Sequence, residues 1–450
     1  MDAPNFQRLQ KLLYVVLAAI AITLILINLE WLNMFHSAAS FVNPRQDLFN
    51  SSSLLTEQKE SEFEPDVFYA LNNTRQNLAN VTRGFASELQ LALTTSLITT
   101  ESVPTQITRA IIVFLPLNMA HFNMQFKALL LSISVMRSSQ PVHVRTDFFV
   151  GTPPGGMNYA KSVGCTEDIR NEFADPEKCI VFEHVPLKDR PDKKHPLIPY
   201  SNYIDSMLVL SEFKYSSKYS VIMRTDLDTF VTPGFGKWVL PRGLAMVTGS
   251  GGYGSENANK HLSWIMKTKL GLLDEGLKSI GSTWIGQCGV LVAAAKLTVS
   301  AMIWLHTQEF SKYEIGAAGT DGWPYWHWPV LLLYGGHIAV NQIPIDRVLI
   351  TTSDIGMVNV DFGTTTNSTM TDSILHLHCW HTEQLFSKFR FAMGQYKNLD
   401  LSPYLDLNST SSYATAIAVS SDRLSLNQLA HLINDPSKVG DKSWIKIHPT

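Results

Sequence analysis

The chain has 450 residues, 45% of them hydrophobic, and a formal net charge of −3. That length supplies more than one domain's worth of core. The near-balanced charge offers no basic field for nucleic acid, so no nucleic-acid partner is expected.

Residues 1–11 read as a short cytoplasmic tail carrying Arg8 and Lys11. Leu12 to Leu29 is an uncharged apolar run, close to the ~20 residues a membrane helix needs. The positive charges before it favour a cytoplasmic N-terminus. Ala38-Ala39-Ser40 offers a cleavage site, but the apolar run exceeds the ~7–15 residues of a cleaved signal core. The expectation is a single-pass signal-anchor over 12–31, with all later residues luminal. Asn50, Asn72, Asn80, Asn367 and Asn408 each head an Asn-x-Ser/Thr acceptor triplet, and all four cysteines fall in this luminal part. An even cysteine count suits an oxidising compartment. Cys165 and Cys179, near in sequence, are the candidate disulfide; Cys288–Cys379 is the remaining option.

Residues 32–105 are polar, rich in acceptor triplets and short of strand-like runs, as in a stem; one amphipathic stretch spans about Gly84 to Ile98. The pattern changes near residue 106. Strands are predicted over Ala110 to Leu115, Asp147 to Gly151, Ile180 to Val185 and Tyr219 to Met223, with helices over Asn118 to Met136 and Tyr203 to Phe213. Further strands are predicted at Leu244 to Thr248 and Gly289 to Ala293, and helices at 256–270, Leu297 to Phe310 and 325–334, with Pro329 delaying the last. Alternating strands and helices imply a mostly parallel sheet flanked by helices, with functional loops at the carboxyl ends of the strands. The domain so defined covers 106–396. Residues 397–450 are Ser/Asn-rich and read as a loosely attached tail with one short helix near 424–433.

The strand ending at Met223 runs into Arg-Thr-Asp-Leu-Asp-Thr, the only Asp-x-Asp of the chain. Asp226 and Asp228, spaced i and i+2 at a strand end, can both reach one hard cation that in turn grips a diphosphate. Two carboxylates rarely complete such a site, and His376-Leu-His378-Cys-Trp-His381 is the obvious further source. On a strand His376 and His378 face one side, and one imidazole suits manganese. His378 is the first choice among the three. Arg224 is suited to phosphate oxygens or to a salt bridge locking Asp226. Gly286 and Gln287 lie in a turn-like segment suited to a sugar donor, Gly286 for close approach and Gln287 for hydroxyls. Trp323 and Trp326 belong to an aromatic run that can stack on pyranose faces. Asp321, just before them, is a candidate general base or positioning group for an acceptor hydroxyl. Gly249-Ser-Gly-Gly-Tyr-Gly lacks the lysine of a phosphate-binding loop and reads as a flexible loop over the site. No Gly-x-Ser-x-Gly or His-Glu-x-x-His is present.

Tail, signal-anchor, stem and an α/β domain with a strand leading to Asp-x-Asp together resemble a type II Golgi glycosyltransferase of the GT-A fold. The resemblance covers 106–396 and the architecture before it. It implies a Rossmann-related mixed, mostly parallel sheet, and Mn²⁺ with the donor diphosphate on Asp226 and Asp228. It further implies a late histidine ligand, a nucleotide-sugar donor, and an acidic residue meeting the acceptor, best matched by Asp321. The partners it implies are a Golgi or ER membrane and a glycan or glycoconjugate acceptor; oligomeric state stays open, an anchor-mediated homodimer being one option. A catalytically inactive luminal binding protein and a calcium-dependent sugar-binding protein are the rival classes; the latter are mostly β.

Overall fold

The computed structural model of the chain describes residues 106–117, 119–167, 177–190, 202–310, 326–351, 358–364, 367–379, 386–440 and 443–446, with 87, 89, 90 and 92–94. The anchor at 12–31, most of the stem, Asn50, Asn72, Asn80, Asp321, Trp323 and His381 lie outside the described residues.

Seven strands form the main sheet: β1 (Ile107–Phe114), β2 (Val144–Thr152), β3 (Cys179–Glu183), β4 (Val221–Arg224), β6 (Met246–Ser250), β7 (Ile280–Gln287) and β8 (Val348–Ile350). Their order is β3-β2-β1-β4-β7-β6-β8, and only β7 runs against its neighbours. The mixed, mostly parallel α/β architecture expected from the sequence is therefore present. A second sheet, β5-β10-β9, is built from Thr229–Val231, His376–His378 and Phe362–Gly363.

Successive side chains of a strand point to opposite faces, and β1 shows the result. Ala110, Ile112 and Phe114 enter one core with helices Asn202–Ser211, Cys288–Gln308 and Leu331–Val340. Ile111 and Val113 enter the other, against helices Ala120–Ser138, Thr410–Arg423 and Leu426–Asn434. A strand apolar on both faces is what a sheet covered on both sides requires. Arg109, fully buried beneath the second core, holds the backbone oxygens of Phe235, Gly236 and Trp238 and the amide of Gln140.

Three expectations are corrected. Gly289 to Ala293 is not a strand: it opens helix Cys288–Gln308, and the strand is Ile280–Gln287. A short apolar run fits a buried strand or a buried helix equally well, and here the helical continuation decides. This helix is long and apolar enough to cross a membrane, yet most of it is buried inside the fold. The glycine-rich segment from Gly249 is not a loose loop either. It begins in β6, and Tyr253 is fully buried, its hydroxyl accepting from Ile280 N (2.7 Å) and meeting His337 Nδ1 (3.1 Å).

The described residues beyond 397 are no loose tail. Tyr413 is buried and donates its hydroxyl to Val231 O (2.8 Å), tying the C-terminal helices to β5. The short helix expected near 424–433 is Leu426–Asn434, started by a capping box of Ser425 and Gln428. Cys165 and Cys179 are disulfide-bonded, whereas Cys288 and Cys379 are separate, buried free thiols. Asn367 and Asn408 are exposed on either side of the Thr369–Ser409 bridge.

Ile417 is fully buried in the Thr410–Arg423 helix. Ile417→Ala is expected to cost about 2–5 kcal/mol in urea unfolding followed by circular dichroism. A change within about 0.5 kcal/mol would mean that the C-terminal helices do not share the core.

Candidate metal centre

β4 ends at Arg224, and the chain turns through Asp226 and Asp228 into β5. Thr229 Oγ1 donates to Asp226 O (2.7 Å) and closes the turn. β5 then pairs antiparallel with β10, in a register that sets His378 opposite Thr229. Cys379 N donates to Asp228 O (3.0 Å) and extends that pairing past the strand end. His378 is thereby delivered to the Asp pair. One ligand atom from each of Asp226, Asp228 and His378 lies within 4.8 Å of the others.

A ring of charges holds these groups. Arg224, itself fully buried, donates to Asp226 Oδ1 (2.7 Å), Ser206 Oγ (2.6 Å) and Ser282 O (2.5 Å). Lys388 Nζ lies 2.6 Å from Asp228 Oδ2, and His378 Nε2 lies 3.6 Å from Asp228 Oδ1. On its other side, His378 Nδ1 is 3.4 Å from Asp361 Oδ1. A carboxylate behind an imidazole orients the ring and leaves its other nitrogen for a metal. Asp361 has a left-handed backbone (φ 57°), a conformation stored only where surroundings enforce it. Its Oδ2 accepts from Thr283 N (3.1 Å). Gly249 and Gly281 make room for it: a Cβ at either would stand 2.3 or 2.7 Å from that oxygen.

Burial would raise the Asp228 carboxyl, but Lys388 and His378 outweigh it and hold Asp228 well below the ordinary carboxylate value. Burial would likewise raise Asp361, and His376 and His378 reverse this and lower it. For His378 burial favours the neutral ring, yet Asp228 and Asp361 prevail and push it up to about 10. Lys388 is raised by Asp228 in spite of its burial. Two carboxylates and one imidazole match a hard or borderline divalent ion such as Mn²⁺. Asp226, Asp228 and His378 are the residues that would hold it.

The other expected site residues that are described take different places. His376 faces the same side as His378, as the strand period requires, but it is fully buried and both its nitrogens are engaged. The Asp361 amide donates to Nδ1 (3.3 Å), and Nε2 meets Thr225 Oγ1 (2.8 Å). It supports the site and is no free ligand. Of the two roles expected for Arg224, the salt bridge that locks Asp226 is formed. Gly286 and Gln287 pair with Ile222 and Val221, at the end of β4 away from the Asp pair. A Cβ on Gly286 would stand 2.4 Å from Ala245 O, so that glycine serves strand packing. Gln287 donates to Leu244 O (3.0 Å). Trp326 is half-buried in an aromatic stack, its ring 4.8 Å from Phe310 and 4.5 Å from Tyr334.

Asp361 and Lys388 escaped the sequence reading. A lone Asp and a lone Lys carry no spacing signal; β9, paired with β10, brings Asp361 to the Asp pair, and the helix Lys388–Ala392 brings Lys388.

With its pKa near 10 against about 6.5 in the unfolded chain, His378 adds stability that is fully present below about pH 6.5. That contribution is lost as pH rises through about 10. Metal needs the deprotonated ring, so binding releases a proton and weakens about tenfold per pH unit as pH falls. Mn²⁺ titration calorimetry from pH 6 to 8, in buffers of different ionisation enthalpy, tests this. Binding without proton release would contradict the protonated ring. Replacing His376 by Gln is expected to lower stability by about 1–3 kcal/mol through the lost buried hydrogen bond, read by denaturant unfolding.

No curated protein sequence matches this chain. Solved structures with partial similarity include the WbbM bifunctional glycosyltransferase, at 7% identity and a TM-score of 0.31, over 56% of this chain and 40% of that one. Mouse xyloside xylosyltransferase 1 is another, at 12% identity and a TM-score of 0.27, over 55% of this chain and 85% of that one. The chain thus spans less than half the length of WbbM. The family model described as "Domain of unknown function (DUF7164)" matches residues 104–446, running through the C-terminal helices, and the chain belongs to that family.

Proposed function

We propose that the chain is a metal-dependent glycosyltransferase, moving a sugar from a nucleotide-sugar donor to a glycan, glycoprotein or glycolipid acceptor. The observation that carries this reading is the cluster of Asp226, Asp228 and His378 at the carboxyl end of β4. β4 adjoins β1 on the side opposite β2, the topological switch where open α/β sheets bind ligands. A bound Mn²⁺ would act there as a Lewis acid for the departing diphosphate.

The chain's own residues prepare that step. Arg224 fixes the Asp226 carboxylate, and Asp361 stands as a charge partner 3.4 Å behind the His378 ring, whose Nε2 lies on the side of Asp228. Lys388 adds a positive charge beside Asp228. In this reading Asp321 meets the acceptor hydroxyl, as general base or positioning group, and Trp323 lies against the acceptor ring. The proposed setting is the Golgi or ER lumen behind a single-pass type II anchor, with a homodimer formed through that anchor. The Cys165–Cys179 disulfide and the exposed acceptor asparagines Asn367 and Asn408 suit an oxidising, glycosylating compartment.

The test uses residues 40–450 secreted from a eukaryotic host and measures nucleotide release across donor sugars with Mn²⁺. Removing one element of transition-state charge stabilisation costs on the order of 100–1000-fold, and that loss is expected for Asp228→Ala. Full activity in Asp228→Ala sinks the metal role. Donor-dependent thermal stabilisation without turnover on any donor would identify a binding protein instead.

A further inference from the structure

Asp228 has both carboxylate oxygens facing cationic groups of its own chain. Lys388 Nζ stands 2.6 Å from Oδ2, and His378 Nε2 stands 3.6 Å from Oδ1. The side chains of Lys388 and Asp228 are 13% and 17% exposed, so solvent screens their contact little. A dication held by Asp226, Asp228 and His378 would share one carboxylate with a buried ammonium. Two positive charges that close repel strongly in a poorly hydrated site.

The backbone at Lys388 leaves little room for adjustment. Ser387 caps the Lys388–Ala392 helix through Arg390 N, and Ser387 N donates to the Tyr396 hydroxyl (3.1 Å). Phe391 is buried on the same helix. The ammonium already has a second neighbour in the same pose. The half-exposed Phe389 ring has its centroid 5.5 Å from Nζ, within cation–π range.

We propose that Lys388 is a resident counter-cation which occupies Asp228 in the metal-free protein and which a divalent ion must displace. The inference rests on the reading of Asp226, Asp228 and His378 as a metal site. The contact holds the carboxylate in place before the ion arrives and sets a threshold for loading. At low ion concentration the ammonium keeps the position. A purely orienting lysine, bonded to Oδ2 while the ion takes Oδ1, would instead strengthen metal binding.

Mn²⁺ binding at fixed pH, followed by electron paramagnetic resonance of the free ion, separates these cases in wild type, Lys388→Met and Lys388→Arg. Thermal melts confirm that each variant is folded. The expected result is tighter binding in Lys388→Met, on the order of tenfold, with Lys388→Arg close to wild type. Equal or weaker binding in Lys388→Met, with binding retained in wild type, overturns this inference and leaves the metal site standing. Absence of binding in both folded proteins overturns the inference and the metal reading together.

Discussion

An ionised carboxylate taken out of water needs opposing charge and hydrogen bonds, or it stays protonated. Asp228 meets that demand with Lys388 and His378, and much of the surrounding architecture follows. His378 reaches Asp228 because β10 pairs with β5, and β5 starts immediately after Asp228. Placing β10 there in turn brings Asp361 behind the histidines. Lys388 arrives on the helix that follows. Three carboxylates, Asp226, Asp228 and Asp361, then face Arg224, Lys388 and a protonated His378. The three negative and three positive charges cancel, so this half-buried to buried group carries no net charge.

Each residue of Arg224-Thr-Asp-Leu-Asp-Thr229 has a separate task. Arg224 closes on Asp226. Thr225 Oγ1 is shared among Thr229, Thr283 and His376, at 3.1, 3.1 and 2.8 Å. Leu227 is buried in the core formed with helix Ala120–Ser138, and Thr229 closes the turn. The two aspartates are thus the only members of the segment whose carboxylates are left to meet His378. A bare Asp-x-Asp would fit many turns; what distinguishes this one is that every neighbour serves to fix it.

The strands around the Asp pair were legible because parallel strands buried on both faces carry short apolar runs, as in residues 110–114 of β1, 148–150 of β2 and 221–223 of β4. The failure came where such a run belongs to a helix, at Gly289 to Ala293. The metal cluster was half legible. A strand-end Asp pair and a His-x-His each carry a period, and these periods survive in one dimension. Asp361 and Lys388 have no such pattern, because their role is fixed by a left-handed backbone turn and a short capped helix. The choice between His376 and His378 was closed to sequence as well. Both face the same side, and what separates them is burial under Thr225 and the Asp361 amide. The C-terminal helices were misjudged for a related reason. Thr410–Arg423 is rich in Ser, Thr and Ala, which pack closely against another helix but do not look like core.

The separation of the partners along the chain has a consequence for how the protein is made. Lys388 lies 160 positions after Asp228, and His376 lies 151 after Thr225. Contacts that span such distances form late, since closing long loops costs entropy before the contact repays it. On a chain emerging from its N-terminus, the Asp pair is synthesised well before any residue that neutralises it except Arg224. An unpaired carboxylate favours water over the interior, so the end of β4 is expected to stay hydrated until those charges arrive. On that ground the sheet around the Asp pair is expected to be among the last parts of the fold to dry out, once the segment carrying His378 and Lys388 has docked.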